Sequence, residues 1–152
     1  MQINKINNLL ELFYQQYQKQ NKESIFLQSL KEPKKEYSWE DVYININKLS
    51  EEISKHIKKG DRCLLVSENR PEWMISDLSI MLSGGITVPA YTTYTERDYE
   101  YIIDDCTPTI IIISQKVQYE KIKNIIPKKD FIKKIIFFEN IKNINKELSL
   151  KI

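Results

Sequence analysis

Residues 61–114 read DRCLLVSENRPEWMISDLSIMLSGGITVPAYTTYTERDYEYIIDDCTPTIIIIS, and the hydrophobic period changes along them. Residues 63–67 form a near-continuous apolar run of strand length. Arg70–Pro71 then opens a helix, with proline in the first turn where its missing N–H costs nothing. That helix, to Ser83, carries Trp73, Met74, Ile75, Leu78, Ile80, Met81 and Leu82. An apolar surface nearly all round predicts burial from more than one side. Gly84–Gly85 ends it, and residues 86–91 read as a second strand. Thr95 caps a helix to about Cys106, with Glu96 and Asp98 in its first turn as the helix dipole favours. Residues 109–114 are a third strand, β-branched through the middle.

Outward from this stretch, a helix over 117–126 and a strand over 134–138 continue the alternation. The order β-α-β-α-β-α-β with near-continuous apolar strands predicts an α/β fold: a partial doubly wound, mostly parallel sheet covered by helices. Upstream, Ile3, Ile6, Leu10, Phe13 and Tyr17 recur at helical spacing. Residues 24–30 and 37–39 could pair as a hairpin. Ser38 caps the next helix, with Asp41 in the capping-box position. Its stripe is Val42, Ile46, Leu49, Ile53 and Ile57, and Lys58, Lys59 and Gly60 stop it. The expected organisation is 1–60 as helix, hairpin and amphipathic helix, 61–140 as the βαβαβαβ part, and 141–152 as a polar tail without a closing element.

Composition excludes several classes. The 152 residues are 41% hydrophobic and 29% charged, and 23 Lys and Arg against 21 Asp and Glu leave a net charge of +2. A nucleic-acid binder gathers positive charge on one face. Here the most basic stretch, 121–146, is interleaved with Ile and Phe and diluted by Asp130 and Glu139, so no nucleic-acid partner is expected. The Ile, Lys and Asn excess reads as codon bias. The longest all-aliphatic run, residues 110–113, is far short of the ~20 residues of a membrane helix. No signal-peptide pattern opens the chain. Cys63 and Cys106, in apolar surroundings without metal-ligand spacing, read as buried thiols in a reducing cytoplasm.

In an α/β sheet the ligand sits beyond the carboxyl ends of the strands. The loops there are 68–70, 92–94 and 115–116. With only Gly60, Gly84 and Gly85 available, neither GxGxxG nor GxxxxGK[ST] can be written on this chain. The one histidine, His56, lies off the stripe near a helix end and reads as a dipole contact in water. Glu51–Glu52 and Asp104–Asp105 are neighbours on helices and read as solvated faces. Tyr99, Tyr101, Tyr119 and Trp73 read as packing. No catalytic or metal-ligating residue emerges.

The ordered motifs GDR, N-x-PEW (NRPEW, 69–73), VP-x-Y-x-T (VPAYTT, 88–93) and Y-I-x-x-D (YIIDD, 101–105) resemble the N-terminal part of AMP-forming acyl-CoA synthetases, particularly the long-chain fatty acid class. The upstream YSWEDVYININKLSEEI fits the same family's strand-to-helix entry, so the resemblance covers roughly 37–136. Cys63 stands where valine is usual, and Thr92 replaces a common proline, which puts that loop's shape in question. The family's phosphate loop, acyl pocket, magnesium-binding glutamate and mobile-domain lysine lie downstream of Ile152.

The resemblance implies a parent enzyme that joins a fatty acid to ATP as acyl-adenylate and passes the acyl group to coenzyme A, using Mg2+. The chain would be a non-catalytic N-terminal part of it. The alternative is a non-enzymatic binding or interaction module derived from the family. One residue carries over: Arg97, matching a basic residue near the coenzyme A phosphates in some members. The bland alternative is a surface arginine pairing with Glu100 or Asp104. The helix over 38–59 would pack on a second sheet beyond Ile152, leaving its stripe exposed here and favouring self-association. The location expected is cytoplasmic, with peripheral membrane contact left open.

Overall fold

The computed structural model describes residues 6–30, 32–138 and 149–151. Helix α1 (Leu9–Lys19) is capped by Asn8, whose side chain accepts from the Glu11 amide. It is followed by the antiparallel hairpin β1 (Ile25–Gln28) and β2 (Glu36–Ser38). Then come α2 (Trp39–Ser54), β3 (Arg62–Val66), α3 (Pro71–Leu82), β4 (Ile86–Ala90) and α4 (Glu96–Cys106). The chain continues through β5 (Ile110–Ile113), α5 (Lys116–Ile122), a 3-10 turn at Ile126–Lys128, β6 (Lys134–Phe137) and β7 (Ser149–Lys151). The second sheet is parallel throughout, in the order β4-β3-β5-β6-β7.

The apolar strands are apolar because both faces are covered. Leu64, Val66, Ile111, Ile113, Ile135 and Phe137 face one core with Tyr99 and Ile103 of α4 and Ile122 of α5. The alternate residues Cys63, Leu65, Ile110, Ile112 and Ile136 face the other, with Ile80 of α3 and Leu49 and Ile53 of α2. The period-two geometry of a strand makes this division obligatory. A third cluster joins Phe13, Val42, Ile46, Ile75 and Leu78, walled by Phe26 and Trp39, whose rings stack 3.8 Å apart.

One expectation is overturned here. The α2 stripe is not left for a second sheet beyond Ile152. Val42, Ile46 and Ile53 are 0% exposed and Leu49 6%, closed over by α3, α1 and the sheet of this same chain. A contiguous exposed patch on that helix, the ground for expecting self-association, does not exist. Of the tail expected over 141–152, residues 149–151 pair in parallel register with β6, and the others lie outside the described residues.

Helix bounds also shift. The expected helix over 38–59 ends at Ser54, and the chain then turns: the His56 N–H donates to the Ile53 carbonyl, and the Lys58 N–H to Asp61 Oδ2. Gly60 at φ +89° completes that turn, a conformation that suits only glycine. Of the first helix, Ile3 lies outside the described residues and Ile6 is exposed. The helix expected over 117–126 stops at Ile122, as Pro127 forces a tighter turn.

Candidate functional site

The sheet order puts the chain's change of direction between β3 and β5: β4 lies on one side of β3, β5 and β6 on the other. The crevice at such a point, beyond the carboxyl ends, is where open α/β sheets bind ligands. Three loops meet there, 67–70 after β3, 91–95 after β4 and 114–115 after β5.

The β3 loop and the first turn of α3 carry two carboxylates with different tasks. Glu68 turns toward α5, where Gln118 Nε2 donates to its Oε1 at 3.2 Å. Burial pushes its carboxyl up, yet contacts with Ser114, its own backbone, Gln118 and Arg70 hold it below the usual range. The Ser114 hydroxyl approaches without full hydrogen-bond geometry, so Glu68 Oε2 and Ser114 Oγ stand buried without a partner. Glu72, in the first turn of α3, is 5% exposed. It receives Lys35 Nζ at 2.9 Å, the Tyr37 hydroxyl at 3.1 Å and Arg70 Nε at 2.8 Å. Burial works against its charge, but the Arg70 and Lys35 bonds win and bring its carboxyl down to about 2. Glu72 thereby fastens the hairpin to the sheet's ligand edge. Between the two runs a cleft of about 710 Å³, lined by Leu27, Leu30, Lys35, Asn69 and Met74 among others.

The β4 loop is held from behind. The Tyr99 hydroxyl donates to the Tyr91 carbonyl at 2.7 Å, and Lys121 Nζ donates to the carbonyls of Thr92 at 2.6 Å and Tyr94 at 3.0 Å. Burial, with the Glu68 charge behind it, raises the Tyr99 phenol to about 12, so it stays a donor. Thr95 and Asp98 close a reciprocal capping box at the start of α4. Arg97, the one carried-over residue, is exposed in the first turn of that helix. The pairing considered for it is absent from the described contacts: Asp104 pairs with Lys129 instead.

Other sequence candidates fall where little chemistry is available. His56 Nε2 lies 3.2 Å from Glu52 Oε1 on the helix surface. Tyr99 is fully buried, whereas Tyr101 is 71% exposed, so packing accounts for the first and not the second. Cys63 is buried and Cys106 half-buried, both as free thiols. Sequence reasoning missed Glu72, Lys121 and the Glu68 cluster, because apart from Arg70 their hydrogen-bond partners lie 27 to 50 residues away along the chain. Among the described residues no group of three His, Cys, Asp or Glu could hold a metal ion, and no helix is long and apolar enough to cross a membrane. Gly84 and Gly85 precede β4, at the amino edge, so the glycines do not fit an ATP phosphate cradle.

Comparison with known proteins agrees with this architecture. The profile of the AMP-binding enzyme family matches residues 13–149. The chain is 24% identical over 130 residues to the long-chain-fatty-acid–CoA ligase ACSBG1 of Rattus norvegicus, covering 85% of this chain and 18% of that protein. It is 32% identical over 59 residues to the long-chain-fatty-acid–CoA ligase FadD15 of Mycobacterium tuberculosis, covering 39% of this chain and 10% of that one. Among solved structures, the R395G form of coronafacic acid ligase from Pectobacterium brasiliense superposes with a TM-score of 0.82 at 16% identity, over 95% of this chain and 28% of the other. The anthranilate CoA ligase AuaEII gives 0.64 at 23% identity, over 68% and 20%. The chain thus spans about a fifth of the length of the ACSBG1 ligase. It belongs to the AMP-binding enzyme family.

Proposed function

We propose that the chain is the amino-terminal scaffold of an AMP-forming fatty acyl-CoA ligase. The parent reaction joins a fatty acid to ATP as acyl-adenylate and then transfers the acyl group to the coenzyme A thiol. The observation that carries this reading is the family match across 13–149 within a chain spanning 18% of a long-chain ligase. In this reading the segment supplies the sheet, the hairpin and the coenzyme A-facing loop, and does not itself catalyse. ATP and Mg2+ belong to the complete enzyme. Coenzyme A fits better, because Arg97 and the loop before it offer cationic and N–H donors to a phosphate. A cytoplasmic setting is part of the same proposal, supported by the two free thiols.

The test is adenylation by the 152-residue chain with fatty acid, ATP and Mg2+. The expected result is no pyrophosphate release above background. Release stoichiometric with acyl-AMP, and lost on mutating a residue of this chain, would overturn the scaffold reading. One observation favours a second reading, a binding or interaction module of the same family: α2 is buried by this chain's own residues, giving the segment a core of its own. Mixing the chain with a family ligase truncated of the equivalent segment separates the two. Restored adenylation supports the scaffold, and its failure supports the module.

A further inference from the structure

The loop after β4 has its carbonyls spoken for on one side. The Tyr91 carbonyl accepts from the Tyr99 hydroxyl at 2.7 Å and from the Tyr94 amide at 3.2 Å. The carbonyls of Thr92 and Tyr94 both accept from Lys121 Nζ, a cation delivered from α5. Tyr99 is fully buried, so these carbonyls point into the protein. A trans peptide is planar, with its C=O and the next N–H on opposite sides. Turning the carbonyls of Tyr91 and Thr92 inward therefore turns the N–H groups of Thr92 and Thr93 outward. Among the described residues neither amide has a backbone acceptor, and Thr93 is exposed. Successive outward N–H groups form a concavity suited to an anionic oxygen. Arg97 follows within one turn of α4. The neighbouring Thr95 amide is already taken by Asp98, so the donors on offer are those two amides and the guanidinium.

We infer that Lys121 and Tyr99 are positioning residues for coenzyme A recognition, holding this loop so that the Thr92 and Thr93 amides face a phosphate of the ligand beside Arg97. Neither side chain touches the ligand. Lys121 is consumed by backbone carbonyls, and its charge sets the loop rather than attracting the phosphate directly. The inference rests on the coenzyme A reading of Arg97 given above and adds to it the residues that shape the site.

The experiment is titration of the isotopically labelled 152-residue chain with coenzyme A, followed by amide resonances and amide exchange. For the unsubstituted chain, the Thr92 and Thr93 signals should shift on binding. Lys121→Met, which keeps the aliphatic stem, and Tyr99→Phe, which removes only the hydroxyl, should each weaken binding about tenfold. Both should speed exchange at Tyr94 and leave exchange in β3 and β5 unchanged. Arg97→Ala should weaken binding with the Tyr94 exchange rate unaltered. Should Lys121→Met fail to fold, Tyr99→Phe decides alone. Binding that leaves the Thr92 and Thr93 signals unmoved, or that survives the positioning variants at full affinity, overturns this inference and leaves the Arg97 reading intact. An unsubstituted chain that binds no coenzyme A overturns both.

Discussion

Lys35 on the hairpin reaches 37 residues along the chain to place its Nζ 2.9 Å from Glu72 Oε1 in the first turn of α3. The carboxylate is nearly buried, and its second oxygen is held by Arg70 Nε at 2.8 Å. A charge in that position survives only with partners, and removing it takes away the carboxylate that Arg70 and Lys35 share. Glu72→Ala should therefore destabilise the fold by about 2–3 kcal/mol, the scale of hydrogen bonds to charged groups, discounted because Lys35 is half exposed. A urea unfolding midpoint measures it. A change within experimental scatter would show that the hairpin is fastened by its apolar contacts alone.

The same group sets an acid limb. Its folded-state carboxyl is lowered from 4.5 to about 2, so its contribution is complete above pH 4.5 and is lost as pH falls through about 2. Stability followed from pH 5 down to pH 2 should decline in the native chain, and Glu72→Gln should flatten part of that decline. Parallel curves for the two proteins would remove Glu72 from the acid response.

How much of this was legible beforehand depended on distance along the chain. Leu64, Leu65, Ile111 and Ile112 announce a two-faced strand because any alternation buries all of them. Ser38 with Asp41 and Thr95 with Asp98 announce helix starts because a cap is a three-residue affair. The stripe on α2 said that one face is buried but not by which layer, and there the expectation failed: α3, not a distant sheet, covers it. The ligand edge was hardest. Lys121 on Tyr94 and Tyr37 on Glu72 join groups 27 and 35 residues apart, so no local pattern marks them. Arg97 entered by resemblance alone.

Gly85 is fixed by space rather than by φ. A Cβ there would stand 3.0 Å from Ile57 Cδ1 and from Ile80 Cγ2, and 3.3 Å from the Ile80 carbonyl oxygen. Gly85→Ala should cost about 1–3 kcal/mol, the range for overpacking, read as a lowered thermal midpoint. An unchanged midpoint would mean that Ile57 gives way freely.

The two thiols should separate under a thiol reagent. Cys63 is 0% exposed, and burial, helped by Asp61, pushes its thiol up to about 12. Because the thiolate is the reactive form, Cys63 should stay unmodified until the protein unfolds. Cys106 is half-buried, and burial raises its thiol too, so it should react slowly in the native state. Native modification of Cys63 at the rate of Cys106 would contradict its place in the sheet core.

Helix α2 is closed over by this chain's own residues. Amide hydrogen exchange across residues 42–53 measures that, compared with β3 and β5 in the same sample. With Val42, Ile46 and Ile53 fully buried, α2 amides should exchange as slowly as those of Leu64 and Ile112, through one cooperative unfolding. Ile53→Ala should speed exchange in all three elements together, at a cost of about 2–5 kcal/mol. Fast exchange confined to 42–53, with hydrophobic-dye binding and concentration-dependent association, would show the helix unpartnered and contradict the account.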